Sequence, residues 1–400
     1  MKAFFNPKTI ALIGATQRKS SVGLALCQNL SNKKVFFVNP NRKKLFGKKC
    51  FPSILDIKTD IDLAIIAVPQ KVVLKVAREV TQKKVKAVII ISAGFAEIGN
   101  DKEQRELSNI LKEIRFLGPN CMGIINPYEK LNASFSKLSP EKGKVAFLSQ
   151  SGALMNTIMD YDFSSMVSFG NAQDVDVSDL IDYFAKHEKT KAIALYIEGL
   201  KNGSKFINAC LKCKKPIVVL KGGKTKRGKK AVQTHTASLA GNEKIYSAAF
   251  KKAGLFEVDT LKDLMEVSNV LSFLPSCKNS IGVLTNGGAV GVLASDWLSK
   301  FGVKVREVCD IRGDALSSDY EKALKKLLSK KEIKGLIVAQ TLQAMTEPKK
   351  NALVLKRIQK KYPKKPIIAL FLGGFNPCFF EIRRACLCIK ALIWKGELLK

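Results

Sequence analysis

Short apolar runs alternate with amphipathic stretches along the whole chain, and this alternation limits the folds that the chain can adopt. In the first third, the apolar runs occupy residues 9–14, 35–39, 63–68, 87–92 and 116–118. The stretches with helical spacing between them are 22–30, 70–82 and 103–112. Parallel strands joined by crossover helices produce this pattern, so the sequence predicts an α/β fold.

The same alternation recurs in two further series, and a chain of 400 residues exceeds the usual size of one domain. The later runs are 145–149, 166–169, 192–197 and 216–220, then 281–285, 303–308, 335–339 and 366–371. We also expect a helix over 152–160. We place the domains at residues 1–135, 140–275 and 280–400.

The chain is strongly basic, with 68 lysine and arginine residues, 34 aspartate and glutamate residues, and a net charge of +34. Nucleic-acid recognition favours arginine, which makes bidentate and stacked contacts. Most basic residues here are lysines spread over every predicted helix. The charge also suits an enzyme that attracts polyanions such as nucleotides. A nucleic-acid-binding protein therefore stays an alternative, although the lysine bias counts against it.

Ten cysteines and two histidines do not form the paired spacings of a zinc site, so we predict no metal site. A redox role for Cys210 and Cys213 remains an alternative to free thiols in a reducing compartment. No apolar run reaches the length of a membrane span, and the first residues do not read as a signal peptide. We therefore expect a cytoplasmic protein with no membrane partner.

The first apolar run enters a turn at Gly14 and Thr16, and a helix start follows at Ser20 and Ser21. Glycine lets a backbone approach a phosphate, and a helix N-terminus offers unpaired N–H groups to it. The G-x-G-x-x-G spacing is absent, and Asn39 stands where an NAD enzyme usually has an acid. These residues predict a nucleotide-like ligand and disfavour NAD, with a bare Rossmann-type domain as the alternative.

The two histidines, His187 and His235, lie in different settings. His187 stands among charged residues at a predicted helix end, which predicts a solvated surface residue. His235 lies in a run of small and hydroxyl residues, typical of a mobile loop, and a neutral imidazole is a nucleophile at neutral pH. His235 is therefore a candidate catalytic residue. A P-loop ending at 223–225 is excluded, because Val218 occupies its first glycine position.

Five motifs of the first domain, each at the end of a predicted strand, resemble the CoA-binding domain of the alpha subunits of ADP-forming acyl-CoA synthetases, relatives of succinyl-CoA synthetase. The motifs are residues 13–16, 38–40, 67–69, 91–97 and 117–123. The resemblance implies that coenzyme A lies over these turns. The cofactor-binding residues that it implies are Gly14, Thr16, Ser20, Ser21, Asn39, Pro40, Arg42, Val68, Pro69, Ser92, Ala93, Gly94 and Asn120.

The second domain resembles the same family at 234–241, 246–254 and 258–261. On this resemblance His235 is the histidine that is phosphorylated, and Glu198, in the motif 195–199, is its carboxylate contact. The implied phosphate-binding residues are Ser151, Gly152 and Ala153, at the start of a helix whose dipole would assist them, and Asn171.

The third domain resembles the family at 284–296, 310–314 and 341–348. It looks shortened after 309, and the match fades beyond 374. The resemblance therefore implies a Rossmann-type CoA-binding domain followed by two flavodoxin-like domains of the succinyl-CoA synthetase type, the last one shortened.

The resemblance also implies a reaction, in which acyl-CoA, ADP and phosphate give a carboxylic acid, CoA and ATP through an acyl phosphate and a phosphohistidine. ADP or ATP and Mg²⁺ are expected on an ATP-grasp beta subunit, which would be the partner. A non-catalytic CoA-binding or regulatory subunit of the same fold is the alternative.

Overall fold

A computed structural model describes residues 1–236, 242–372 and 381–398, without the side chains of 233–236. The chain forms two compact units, Met1–Met265 and Glu266–Lys400. The first unit contains two seven-stranded sheets, and the second contains one four-stranded sheet. None of the helices in the described residues combines the length and the hydropathy of a membrane-spanning segment.

The first sheet has the strand order β3-β4-β2-β1-β5-β6-β7, and all neighbours are parallel except β3 and β4. Its strands are β1 (Ile10–Ile13), β2 (Val35–Val38), β3 (Lys44–Leu45), β4 (Lys48–Phe51), β5 (Leu63–Ile66), β6 (Ala87–Ile90) and β7 (Arg115–Leu117). Its helices are α1 (Lys2–Phe5), α2 (Val22–Asn29), α3 (Gln70–Gln82) and α4 (Asp101–Ile110). The strand order reverses at β1, where sheets of this kind leave a crevice at the strand ends.

Burial explains why these segments form strands and helices. All four residues of β1, of β5 and of β6 are buried, as expected for parallel strands covered on both faces. Helix α3 buries Val73, Val76, Ala77 and Val80, which recur on one helical face. The first unit therefore takes the fold that its apolar spacing predicts.

The second sheet has the order β14-β13-β12-β10-β11-β8-β9, with β8 and β9 antiparallel at its edge. Its strands are β8 (Gly123–Asn126), β9 (Leu131–Ser134), β10 (Lys142–Ser149), β11 (Phe163–Ser168), β12 (Ala192–Ile197), β13 (Ile217–Lys221) and β14 (Phe256–Val258). The helices along this part of the chain are α5 (Ala153–Asn156), α6 (Val177–Lys186), α7 (Gly203–Lys212), α8 (Lys226–Thr236), α9 (Glu243–Lys252) and α10 (Leu261–Phe273).

Three details of this part of the chain differ from the sequence-based expectation. The first domain was expected to run to residue 135, but β8 belongs to the second sheet, because it pairs with β11, with Gly123 opposite Ser168. The helix expected over 152–160 is the single turn α5, because the Thr157 N–H and hydroxyl both donate to the Leu154 carbonyl and close the turn. The backbone of His235 lies in the last turn of α8 rather than in a loop, and residues 237–241 lie outside the described residues.

The second unit has a parallel sheet with the order β16-β15-β17-β18. Its strands are β15 (Ile281–Thr285), β16 (Val305–Asp310), β17 (Gly335–Thr341) and β18 (Ile367–Leu372). The helices that follow these strands are α11 (Gly288–Lys300), α12 (Ser317–Ser329), α13 (Pro348–Lys361) and α14 (Ile382–Leu398). Residues 373–380, which include the start of the region where the family resemblance fades, lie outside the described part.

Candidate functional site

The turns after β1, β2, β5 and β6 lie at one edge of the first sheet and hold most of the residues predicted to bind a coenzyme. Gly14 follows β1 with a φ of +97°, and a β-carbon on it would lie 2.1 Å from the carbonyl oxygen of Ala67. A β-carbon on Gly23, in α2, would lie 2.3 Å from the carbonyl oxygen of Gly14. Glycine is required where backbones approach this closely, so the first strand-to-helix turn is tightly packed.

Hydrogen bonds from the predicted coenzyme residues join neighbouring strand ends. The Ser92 hydroxyl accepts from the Val68 N–H at 3.1 Å and donates to the Val68 carbonyl at 2.6 Å. The Asn120 N–H donates to the Ser92 carbonyl at 3.0 Å. The Asn39 amide donates to the Ala15 carbonyl at 2.8 Å, so this residue ties the end of β2 to the turn after β1.

A cavity of about 580 Å³, here called the strand-end cavity, opens at this edge. The predicted residues that line it are Val68, Ser92, Ala93, Asn120, Ser151, Gly152, Ala153 and Asn171. The other predicted coenzyme residues stand in the turns at the same sheet edge but are not among its lining residues: Gly14, Thr16, Ser20, Ser21, Asn39, Pro40, Arg42, Pro69 and Gly94. The structure thus brings part of the predicted coenzyme site and the whole predicted phosphate site to one cavity.

The turn after β10 carries the predicted phosphate-binding residues. The Ser149 hydroxyl accepts from the Ser151 N–H at 3.1 Å and donates to the Ser151 carbonyl at 2.7 Å. A β-carbon on Gly152 would lie 2.8 Å from that of Met122. Because α5 has only four residues, few peptide dipoles add along it, and the expected help from a helix dipole is reduced.

Gln150 connects this turn to the turn that follows β12. Its Oε1 accepts from the Glu198 N–H at 2.6 Å and from the Gly199 N–H at 3.1 Å. Both bonds require the amide oxygen, so the amide nitrogen of Gln150 is left as a donor. The side chain therefore fixes Glu198 relative to the predicted phosphate site.

Glu198 is only 5% exposed, and its two carboxylate oxygens differ in their partners. Oε1 accepts from the Tyr196 hydroxyl at 3.2 Å. Oε2 is buried and has no hydrogen-bond partner among the described residues. Burial, followed by the Glu198 charge, raises the pKa of Tyr196 above its usual range, which keeps the hydroxyl protonated as a donor.

Lys221 and Tyr246 contact the turn after β12, which carries Glu198. The Lys221 amine donates to the Glu198 carbonyl at 2.7 Å and to the Gly222 carbonyl, and it lies 4.6 Å from the centre of the Tyr246 ring. The Tyr246 hydroxyl accepts from the Leu200 N–H at 3.1 Å. Burial lowers the pKa of Lys221, and the nearby Glu198 carboxylate opposes this shift.

The two histidines are in different places, as expected, but His187 is not a freely solvated residue. It is half-buried, its Nδ1 lies 2.9 Å from the Thr190 hydroxyl, and its ring stacks on Tyr183. The side chain of His235 lies outside the described residues, while the helix that carries its backbone, α8, lies against the turn Ala96–Ile98.

Asn171 is the centre of a polar network that sequence reasoning did not identify. Its Nδ2 donates to Glu97 Oε2 at 2.6 Å and to Gln104 Oε1 at 2.8 Å, and its Oδ1 accepts from the Asn120 amide at 3.3 Å. Glu97 and Gln150 stand inside or beside the motifs that carried the resemblance, which was the available signal. Tyr196 and Tyr246, near Glu198, also stand inside such motifs, residues 195–199 and 246–254. No local signal pointed to Gln104 or Lys221.

The cysteines of the described residues are free thiols. Cys210 and Cys213 are buried, and burial raises the pKa of both thiols. A buried thiol with a raised pKa is poorly reactive, so this pair lacks the setting of a redox site.

Family models match two consecutive segments of the chain. A CoA-binding domain matches residues 8–127, and a succinyl-CoA-ligase-like flavodoxin domain matches residues 142–271. A structure of dinucleotide-forming acetyl-coenzyme A synthetase 1 from Ca. Korarchaeum cryptofilum, in complex with phosphate and ADP, aligns with a TM-score of 0.92 and 30% identity. That alignment covers 99% of this chain and 97% of the other.

Two curated relatives are ADP-forming acetate–CoA ligases. The Methanocaldococcus jannaschii protein is 44% identical over 318 residues, and the match covers 76% of this chain but only 45% of the relative. The alpha subunit of the Pyrococcus furiosus ligase II is 36% identical over 411 aligned positions, covering 93% of this chain and 90% of the subunit. Because those positions outnumber the 400 residues here, the relative contains segments that this chain lacks. The agreement over nearly the full length of a named alpha subunit shows that this chain belongs to the family of ADP-forming acetate–CoA ligase alpha subunits.

Proposed function

We propose that this chain is the CoA-binding and phosphohistidine-bearing subunit of an ADP-forming acyl-CoA ligase. It interconverts acyl-CoA, ADP and phosphate with a carboxylic acid, CoA and ATP. The observation that carries the proposal is the buried Glu198 Oε2, which lacks a partner among the described residues. The backbone N–H of Glu198 donates to Gln150, which lines the strand-end cavity. A buried carboxylate oxygen of this kind requires a donor, and an imidazole N–H is a suitable one.

Coenzyme A occupies the turns at the edge of the first sheet. Support comes from the family match of residues 8–127 and from the close backbone approaches at Gly14 and Gly23, which leave turns free of side chains. The thiol end enters the strand-end cavity, where Ser92 and Asn120 meet the turn of Ser151 and Gly152. The thioester and the phosphate therefore meet in one cavity.

The reaction proceeds by two displacements before the nucleotide is involved. Phosphate attacks the thioester carbonyl, the C–S bond breaks, and CoA leaves as a thiolate that takes up a proton. An imidazole nitrogen of His235 then attacks the phosphorus of the acyl phosphate, and the carboxylate leaves as its bond to phosphorus breaks. The phosphoryl group finally passes from His235 to ADP, which forms ATP and restores the imidazole.

Glu198 assists the second displacement. Its free Oε2 accepts the N–H on the other ring nitrogen of His235, which fixes the tautomer and stabilises positive charge on the ring. The helix of His235, α8, lies against the turn Ala96–Ile98, which contains Glu97 of the Asn171 network. This contact supports delivery of the histidine to the same cavity.

The nucleotide site lies on a partner, an ATP-grasp beta subunit that binds ADP or ATP with Mg²⁺. Two relatives of this chain are named as alpha subunits, and the solved relative holds ADP and phosphate. The sequence of this chain contains no P-loop. The phosphorylated His235 segment then travels between the two sites.

The test is acid-labile, base-stable radiolabel on the chain after incubation with acetyl-CoA and labelled phosphate. Wild type and His187→Asn should be labelled, and His235→Asn should not. Label that survives in His235→Asn, or that vanishes in His187→Asn, would overturn the assignment of the phosphorylated residue.

A further inference from the structure

A second cavity, of about 500 Å³, adjoins the strand-end cavity in the first unit. It lies between the first turns of α4 and α6 and the turn after β12, and we call it the amide cavity. Its lining includes Gln104, Gln150, Asn171, Gln173 and Lys201. Gln150 and Asn171 line both cavities, so the two cavities meet at these side chains.

The side-chain amide oxygens of Gln173 and Gln104, in the amide cavity, already accept hydrogen bonds. Gln173 Oε1 accepts from Gln104 Nε2 at 2.9 Å and from Lys201 Nζ at 2.7 Å. Gln104, which is only 6% exposed, uses its own Oε1 to accept from Asn171 at 2.8 Å and from the Ala96 N–H at 3.3 Å.

The groups left over are donors. Within the described residues, no acceptor is assigned to the amide nitrogens of Gln150 and Gln173, and the Lys201 ammonium has two further N–H bonds. Asp176 acts on the Lys201 ammonium through its charge, but its two carboxylate oxygens are engaged by the cap of α6 and by Lys205. Asp101 and Arg105 add one charge of each sign at the rim. The cavity is thus suited to a ligand that carries oxygen acceptors.

We propose that the amide cavity holds the acyl chain of the thioester and selects short acids whose far end carries an oxygen acceptor, a hydroxyl or a carboxylate. This inference rests on the proposed function, since it places the thioester carbonyl where the two cavities meet, beside the Gln150 amide nitrogen. An acetyl group would leave most of the 500 Å³ to water, which occupies about 30 Å³ per molecule in the liquid. A longer acyl chain fills this space, and a polar end satisfies Lys201 and Gln173.

The experiment measures the binding of CoA thioesters to the full chain by calorimetry. Pentanoyl-CoA, 4-hydroxybutyryl-CoA and succinyl-CoA compare a methyl, a hydroxyl and a carboxylate end on chains of similar length. We expect the tighter of the two polar thioesters to bind about tenfold more tightly than pentanoyl-CoA, because a methyl group leaves the donors of Gln173 and Lys201 without an acceptor. The thioester that binds more tightly shows whether the preferred acceptor is a hydroxyl or a carboxylate.

The Lys201→Met variant should reduce this preference to within about twofold while CoA itself binds as in wild type. Lys212→Met removes the same charge from the exposed end of α7 and should leave the preference intact. Equal binding of pentanoyl-CoA and both polar thioesters, or an unchanged preference in Lys201→Met, would overturn the inference. The proposed function fails separately, through the absence of label on His235 or of any binding of CoA.

Discussion

Tyr196 and Glu198 show how one hydrogen bond can prepare a residue for chemistry. The Tyr196 hydroxyl donates to Glu198 Oε1 at 3.2 Å and leaves Oε2 for another donor. Since Glu198 is 5% exposed, water cannot easily replace a lost partner. The orientation of Glu198 therefore depends on this bond and on the Gln150 bonds to its backbone.

We expect Tyr196→Phe to slow phosphorylation of His235 roughly tenfold, because a bond to a buried charged group is lost. Glu198→Gln should slow it further, since a neutral amide stabilises the charged imidazole less well. The measurement is the rate of labelling from acetyl-CoA and labelled phosphate. Tyr128→Phe, which removes a hydroxyl bond to the Gly143 carbonyl elsewhere in the unit, is the matched control. Equal labelling rates in the two tyrosine variants would contradict a positioning role for Tyr196.

His187 gives a prediction about pH. Burial, with the charges of Lys215 and Lys189, lowers its pKa, so the ring is neutral in the folded state. In the unfolded chain the pKa is about 6.5, so the unfolded state binds more protons once the pH falls below that value. Stability should therefore decrease as the pH falls through about 6.5 towards the lower folded-state pKa.

Thermal unfolding at a series of pH values tests this expectation. His187→Gln keeps a side chain that can bond Thr190 but does not titrate, so its midpoint should fall less than that of wild type between about pH 7 and 5.5. His235→Gln serves as the histidine control. Parallel pH profiles for wild type and His187→Gln would show that another group is responsible.

The packing of β1 against β5 depends on the turn after β1, where Gly14 leaves no room for a side chain. A β-carbon on Gly14 would meet the Ala67 carbonyl at 2.1 Å, and the backbone there has a φ of +97°. Gly99 has a similar φ of +90° but nothing within 4 Å of a β-carbon. Substitutions at these two positions therefore distinguish the cost of backbone strain from the cost of a steric clash.

We expect Gly99→Ala to cost about 1–3 kcal/mol of unfolding free energy from strain alone. Gly14→Ala should cost clearly more and should weaken CoA binding, since the β1 and β5 ends must separate. Denaturant unfolding and calorimetry with CoA measure the two effects. A cost for Gly14→Ala no greater than that for Gly99→Ala would mean that the turn can relax.

For the whole molecule, the proposed placement of the nucleotide site on a partner subunit predicts what the chain does alone. The purified chain should bind CoA more tightly than NADH, because Asn39 bonds the Ala15 carbonyl and no acid stands there for a ribose hydroxyl. Alone, it should make no ATP from acetyl-CoA, phosphate and ADP. It should form ATP from them once an ATP-grasp subunit recovered from native lysate is added. Calorimetry and a coupled ATP assay measure both. ATP formation by the chain alone would contradict a nucleotide site on the partner.

Local sequence was sufficient for much of this protein. Parallel strands buried on both faces are continuous apolar runs, so β1, β5 and β6 could be predicted without knowing their neighbours. Gly14 and Asn39 could be singled out because turns at strand ends have strict steric and chemical requirements. Glu198 came from a motif at such an end, whereas His235 came from a run of small and hydroxyl residues that resembles the family.

The assembled sheets were needed for the rest. β8 and β9 are short, and they join the second sheet through pairing rather than through their own residues: β8 pairs with β11, and β9 pairs with β8. Gln150, Tyr196 and Lys221 come from neighbouring strands or strand ends, β10, β12 and β13, and meet because these strands are adjacent. A polar side chain can form hydrogen bonds with many kinds of partner, and the strand order determines which partner lies within hydrogen-bond distance, about 3 Å. Spacing along the chain carries no record of that order, which explains why the hydrogen bonds that hold Glu198 were found only in the folded structure.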